Sequence, residues 1–158
     1  MDWLDHALRE SPYICGAIAC VVAFVSLRVV KSKPVRTTDH LVFCMFLWMV
    51  AAFKVMRFWP PTLVQSEILV GTILACFLLG LMHSRLGSIT FDTTTHEFVI
   101  ELSVLRSAVG ALFAGVVVTL LSRSSNNFGD YSAFVAVGAW LTGGMLGQWR
   151  RIVRAGWA

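Results

Sequence analysis

Charge is what this chain has least of. Only 14% of its residues are Asp, Glu, Lys or Arg, where a soluble domain carries about a quarter. It has no Cys-x-x-Cys pair and no His-x-x-x-His or His-Glu-x-x-His spacing. No phosphate-cradling glycine loop and no Ser/His/Asp arrangement falls on a soluble face. These absences argue against a soluble globular fold, a disulfide-stapled secreted fold and the usual hydrolytic and metal-dependent chemistries. The net charge of +4 does not mark a nucleic-acid binder, because the cations cluster at the ends of apolar runs rather than on one face. The N-terminal segment carries Asp2, Asp5 and Glu10 with Arg9 as its one basic side chain. It therefore lacks the positive stretch of a secretory signal, and the first apolar run is expected to stay in the mature protein. No internal repeat is visible.

What the chain does have is five long apolar runs, at 12–27, 41–58, 63–82, 104–121 and 131–146. A bilayer core takes about 20 mostly apolar helical residues to cross, and a helix satisfies its own backbone in lipid. Ser11-Pro12 reads as a helix start. Pro60-Pro61 closes the second run and opens the third. The expected spans are 12–30, 41–58, 63–82, 104–121 and 131–147, in a single membrane domain covering 1–158. The fold class is an all-α integral membrane protein, a bundle of five transmembrane helices. Residues 1–10 read either as a short amphipathic helix at the headgroups or as a frayed tail.

The loops orient these spans. Arg28, Lys31, Lys33, Arg36, Arg85, Arg106, Arg150, Arg151 and Arg154 fall on one side, nine cations against four (Arg9, Lys54, Arg57 and Arg123) on the other. By the positive-inside rule the N-terminus is outside and the C-terminus inside. The expected location is the bacterial inner (plasma) membrane, multi-pass, with anionic headgroups at the cytoplasmic face as lipid partners. Arg106 is expected to snorkel to that interface. Between the third and fourth spans, 88–91 and 97–101 alternate in the strand manner around the polar cluster 92–96. This reads as a short cytoplasmic β-hairpin that must lean on helix ends or lipid. The alternative is a fourth helix beginning near Phe98.

Helices in lipid associate through small residues. The fourth span offers Gly110/Ala114 and Ala111/Gly115, and the fifth Ala139, Gly143 and Gly147. The third offers Gly71/Ala75 and Thr72/Cys76/Gly80, and the first Gly16/Cys20 and Ala19/Ala23. Spans four and five are expected to pack tightly. Gly143-x-x-x-Gly147 could pack within one chain or across a homodimer.

Three sets of residues are candidates for chemistry. Lys54 and Arg57 share a face of the second helix, and Glu67 lies at a similar depth in the third. They read as an ion pair tying two helices, with the spare cation snorkelling, or as an anion or proton site opening outward. His40, His83 and His96, with Asp39, Asp92 and Glu97 near them in sequence, are candidate metal ligands without a fixed spacing. No metal and no cofactor is expected. Cys20 and Cys76 could form a membrane dithiol relay, but apolar burial makes thiols inert. Trp48 and Trp140, near mid-span, either pack the core or shape a cavity.

Two stretches carry a family likeness. One is the basic, proline-containing loop Leu27-Arg28-Val29-Val30-Lys31-Ser32-Lys33-Pro34-Val35-Arg36. The other is Leu79-Gly80-Leu81-Met82-His83-Ser84-Arg85 running into Ile89-Thr90-Phe91-Asp92 and Phe98-Val99-Ile100. In these the chain resembles the CcdC-like family of small multi-span bacterial membrane proteins. The resemblance implies a small inner-membrane protein and adds no site residues. The expected function is non-enzymatic: an accessory or assembly component acting through helix–helix contacts, with a membrane-protein partner or a second copy. One alternative is a small oligomeric transporter or permeation unit using Lys54, Arg57 and Glu67. Another is a membrane thiol or cofactor-maturation factor. A transporter spreads polar groups through the depth of its spans, whereas here they gather near the ends, which favours the first reading.

Overall fold

The computed structural model describes residues 11–56, 61–123 and 127–156. Five helices dominate: α1 (Pro12–Val29), α2 (Thr37–Met56), α3 (Leu63–Arg85), α4 (Val104–Arg123) and α5 (Asn127–Gly156). Three of them, α1, α3 and the Val104–Leu121 part of α4, are long and apolar enough to cross a membrane. Their outer faces fit that use. Val21, Val22, Leu74, Leu78, Leu112 and Val116 are each more than half exposed, and a soluble monomer rarely shows so broad an apolar surface to water. The readings for residues 1–10 and for Arg57, Trp59 and Pro60 lie outside the described residues.

Local chemistry sets the helix ends. Pro12 opens α1 with its missing N–H at the first helical position, and the Ser11 carbonyl accepts from Ile14 and Cys15 at 2.9 and 3.3 Å. The Ser11 side chain makes no cap bond. Thr62 and Gln65 form a reciprocal capping box at α3, which satisfies two backbone donors at once. α2 starts at Thr37, ahead of the expected 41, and takes Asp39 into its first turn, where the helix dipole favours an acid. α5 starts at Asn127, ahead of 131, and runs through the basic tail to Gly156. Ile152 anchors that extension at 7% exposure, and its arginines suit the negative end of the helix.

The hairpin between the third and fourth helices is present, as β2 (Ile89–Asp92) and β3 (Glu97–Glu101). It gains a third strand absent from the sequence reading. β1 (Ser32–Pro34), in the basic loop after α1, pairs antiparallel with β3, giving the order β1-β3-β2. Flanking bonds extend the ladder, from Val35 N–H to Phe98 O at 2.7 Å and from Leu102 N–H to Lys31 O at 3.0 Å. Pro34 is tolerated because β1 is an edge strand. The third strand supplies support that a lone hairpin lacks, and Ile100 on the central strand is 5% exposed. At the turn, His96 takes a left-handed φ of 53°. Asp92 Oδ1 accepts from the Thr94 N–H at 2.8 Å. That bond, helped by the Thr95 hydroxyl, holds the Asp92 carboxyl below its ordinary pKa.

Packing corrects the expected pairing of spans four and five. α3–α5 is the most extensive contact, followed by α1–α4 and α2–α5, with α4–α5 slighter. The glycine faces explain this. A Cβ on Gly143 would land on the Phe77 carbonyl oxygen, one on Gly80 on the Trp140 carbonyl oxygen, and one on Gly147 on the Ser84 hydroxyl. The Gly143-x-x-x-Gly147 face therefore packs within the chain, on α3. The face of α4 that carries Gly115 meets α1, where a Cβ would lie 2.8 Å from Gly16 O and 3.0 Å from Cys20 Cβ. Ala139 is 1% exposed, Ala114 is half-buried, and Gly110 faces Leu27 and His83. α4 meets α5 mainly where Phe113 stacks on Trp140 at 4.4 Å. On α2, Trp48 lies over Gly138 and donates to Thr142 Oγ1 at 3.0 Å. Trp48 packs on the buried pair Ala51 and Val135, as do Phe134 of α5 and Leu69 and Ile73 of α3.

Candidate functional site

The last carbonyls of a helix have no partner within it, and α3 ends at Arg85 beneath the sheet. Two arginines from other helices supply the missing donors. Arg151 of α5 donates through Nη1 to Ser84 O at 2.6 Å and through Nη2 to Gly87 O at 2.9 Å. Arg106 of α4 donates through Nη1 to Leu86 O at 2.9 Å. His83 answers in the other direction: its Nε2–H donates to Arg106 O at 3.0 Å. A carbonyl can only accept, so Nε2 carries the proton. Gly110 of α4 lies beside the imidazole, where a Cβ would make ordinary contact at 3.7 Å from Nε2. The ring also packs against Trp140, centroids 5.0 Å apart.

These bonds, with the β1–β3 pairing, place the basic loop at 28–36, Arg85, Arg106 and the arginines of α5 at one end of the bundle. At that end a cavity of about 140 Å³ opens between α2, α3, α4 and α5. Its polar walls are His40, His83, Arg106 and Gln148, and its apolar walls include Trp140 and Met145. Arg106 does not snorkel as expected: it is 4% exposed. Among the described residues it has no carboxylate partner, the one ion pair being Arg36–Glu97 at 3.9 Å on the surface. Its guanidinium has five N–H donors, and Leu86 O takes one. Trp140 holds a buried Nε1–H for which no acceptor is found among the described residues. A second cavity, of about 90 Å³, is lined by Ser84, Arg85, Arg150, Arg151 and Arg154.

No family model, no curated protein and no solved structure matches the chain. A buried cation is costly unless it is paired, and here the protein supplies no acid. Helix-end carbonyls offset part of that cost through the dipole of α3. Arg106 lines the first cavity beside His40, His83 and the Gln148 amide. No acid lines that cavity, so its one fixed charge favours an anion over a cation.

The residues singled out in the sequence are distributed unevenly around this site. His40 and His83 both line the cavity, but each ring also bonds a backbone carbonyl, His40 Nδ1 to Arg36 O at 2.9 Å. His96 sits apart in the hairpin turn beside Phe91. Among the described residues no group of three His, Cys, Asp or Glu is placed to hold a metal ion. Lys54 is half-buried on α2 and Glu67 is exposed on α3. They make no ion pair among the described residues, and Arg57 lies outside them. Cys20, Cys44 and Cys76 are free thiols on three different helices. Sequence reasoning missed Arg151 and Gln148 and misread Arg106. The available signal was an arginine three residues into an apolar helix with no acid on its own turn.

Proposed function

We propose that this is a five-span inner-membrane protein, N-terminus outside and C-terminus inside, that works by binding and not by catalysis. In this reading it is an accessory component whose helix–helix contacts hold a preformed anion site at the cytoplasmic end. The observation that carries the reading is Arg106, a buried guanidinium with no carboxylate among the described residues, in the wall of a polar cavity. The topology rests on the nine-to-four division of Lys and Arg and on the gathering of the larger group at one end of the bundle. The likeness to CcdC-like proteins belongs to the same proposal, on the two stretches that carry it.

Two measurements test this. A cysteine placed at Thr94, at the tip of the exposed hairpin, is expected to resist a membrane-impermeant maleimide in intact cells and to react once the inner face is opened. Ready labelling in intact cells would reverse the orientation. For the site, purified protein in neutral detergent is titrated with inorganic phosphate and its melting temperature followed. A ligand at a hundredfold its dissociation constant adds about 2.7 kcal/mol, so the wild type is expected to gain several degrees in a saturating manner. Arg106→Gln, which keeps a donor for Leu86 O but no charge, is expected to gain nothing beyond the ionic-strength effect of sulfate-free chloride. An equal rise in both proteins refutes the anion site.

A further inference from the structure

We infer that the second cavity, between the ends of α3 and α5, seats the phosphate of an anionic inner-leaflet phospholipid whose acyl chains lie on the exposed face of α3; this rests on the membrane reading above and not on the Arg106 site. Four arginines line the cavity, Arg85 from α3 and Arg150, Arg151 and Arg154 from α5, and no acid does. Positions 147, 150, 151 and 154 follow the i, i+3, i+4, i+7 spacing of one helix face. Gly147 lets that face close on Ser84, so the tight crossing brings the arginines of both helices to one place. Arg151 is spent on Ser84 O and Gly87 O and forms the inner wall. Arg85, Arg150 and Arg154 are exposed, and among the described residues none has a carboxylate partner. Like charges around one cavity repel each other, and an oxyanion between them reverses the sign of the interaction. At about 90 Å³ the space equals roughly three water molecules, enough for one phosphate group and too small for an acyl chain.

The chains have a track outside the cavity. Leu74, Leu78 and Met82 of α3 recur every four residues, and each is more than half exposed. Arg85 lies eleven residues past Leu74, about three full turns, and so continues the same face. It therefore belongs both to the apolar track and to the cavity wall. The rise from Leu74 to Arg85 is about 16 Å, close to the roughly 15 Å of hydrocarbon in one leaflet. A lipid lying on this face rests its chains on Leu74, Leu78 and Met82 and brings its phosphate to Arg85. The exposure of the arginines decides where the phosphate comes from. A free phosphate gains little from exposed arginines, which water and salt screen. A lipid's phosphate is already confined to the membrane surface, where its effective concentration is high. A choline headgroup brings a further cation into the arginine field, which disfavours it.

Native mass spectrometry of detergent-purified protein, with phosphatidylglycerol or phosphatidylcholine added, tests the assignment. The wild type is expected to retain phosphatidylglycerol about tenfold better than phosphatidylcholine. Excess inorganic phosphate or glycerol phosphate, which carry the anion without the chains, should not displace it; displacement by either would overturn the lipid source. Each basic residue beside an anionic headgroup is worth about fivefold in affinity. Arg150→Gln combined with Arg154→Gln, two exposed positions, should therefore cut retention about 25-fold. Lys31→Gln combined with Lys33→Gln removes the same charge from the exposed loop at the same end and should retain the lipid as the wild type does. Equal losses in the two double variants would mean general attraction to a basic surface and would overturn the site. Arg106→Gln is expected to retain phosphatidylglycerol in full while losing the phosphate-dependent melting shift. Retention lost in Arg106→Gln but kept in the Arg150/Arg154 double variant would overturn this assignment and leave the Arg106 site standing.

Discussion

Gly143→Leu is expected to destroy the folded bundle, while Gly144→Ala, one residue on, leaves it intact. At Gly143 a new Cβ meets the Phe77 carbonyl oxygen, with Phe77 C at 3.0 Å and Leu81 N at 3.2 Å. These are backbone atoms of α3 and cannot rotate aside, so α3 and α5 must separate. Overpacking by a few methylenes typically costs about 1–3 kcal/mol where side chains can yield, and here none can. In water a hydrophobic drive would press the helices back together. In lipid the tails solvate the parted faces equally well, and close packing is what joins helices. Separation would also pull Gly147 from Ser84 and Arg151 from the end of α3. At Gly144 the nearest atom to a Cβ is Gly80 O at 3.8 Å, ordinary contact distance, and alanine adds about 0.8–1 kcal/mol of helix propensity. Gly71→Leu serves as a second control, because a Cβ there meets nothing within 4 Å. Gel-filtration profile and melting temperature in detergent read the outcome. A monodisperse Gly143→Leu protein melting with the wild type would mean that α3 and α5 do not cross at this glycine.

The same residues show what the sequence could and could not reveal. Helix positions were legible because apolar runs and breakers such as Pro12 and Pro61 act locally. Helix partners were not. Small residues at four-residue spacing occur on α1, α3, α4 and α5 alike, so the pattern says that a helix has a flat face and not which neighbour meets it. β1 was illegible for a related reason: Ser32-Lys33-Pro34 has no alternation of its own and is a strand only because the free edge of β3 lies alongside. At the site, the histidines were visible but their partners were not. The hairpin brings His83 to Arg106 across 23 positions, and no periodicity encodes that closure. Depth along a helix can be counted from the sequence, whereas direction around the axis cannot. Lys54 and Glu67 were matched in depth, yet they form no pair.

Arg151→Leu is expected to destabilise the protein by about 2–4 kcal/mol, the second largest effect among these changes. Hydrogen bonds to a charged donor are worth about 1.5–3 kcal/mol each, and Arg151 makes two, to Ser84 O and Gly87 O. Gly87, at a φ of 94°, turns the chain from α3 into β2, so losing its tie loosens the root of the hairpin as well as the helix end. Relief of like-charge repulsion with the neighbouring Arg106 offsets a small part of the loss. Arg151→Lys restores the charge but not the planar fork that reaches two carbonyls at once, and about half of the stability should return. Arg154→Leu, on the exposed side of the same helix, should stay within about 0.5 kcal/mol of the wild type. Thermal melts in detergent give the order, and proteolysis at the 93–96 turn shows whether the hairpin loosens with it. An Arg151→Leu protein as stable as Arg154→Leu would mean that the end of α3 is held some other way. Because Arg151 closes off a helix end and Arg106 faces the cavity, Arg151→Leu should still gain stability from inorganic phosphate, which distinguishes the arginine that supports the wall from the one that meets the anion.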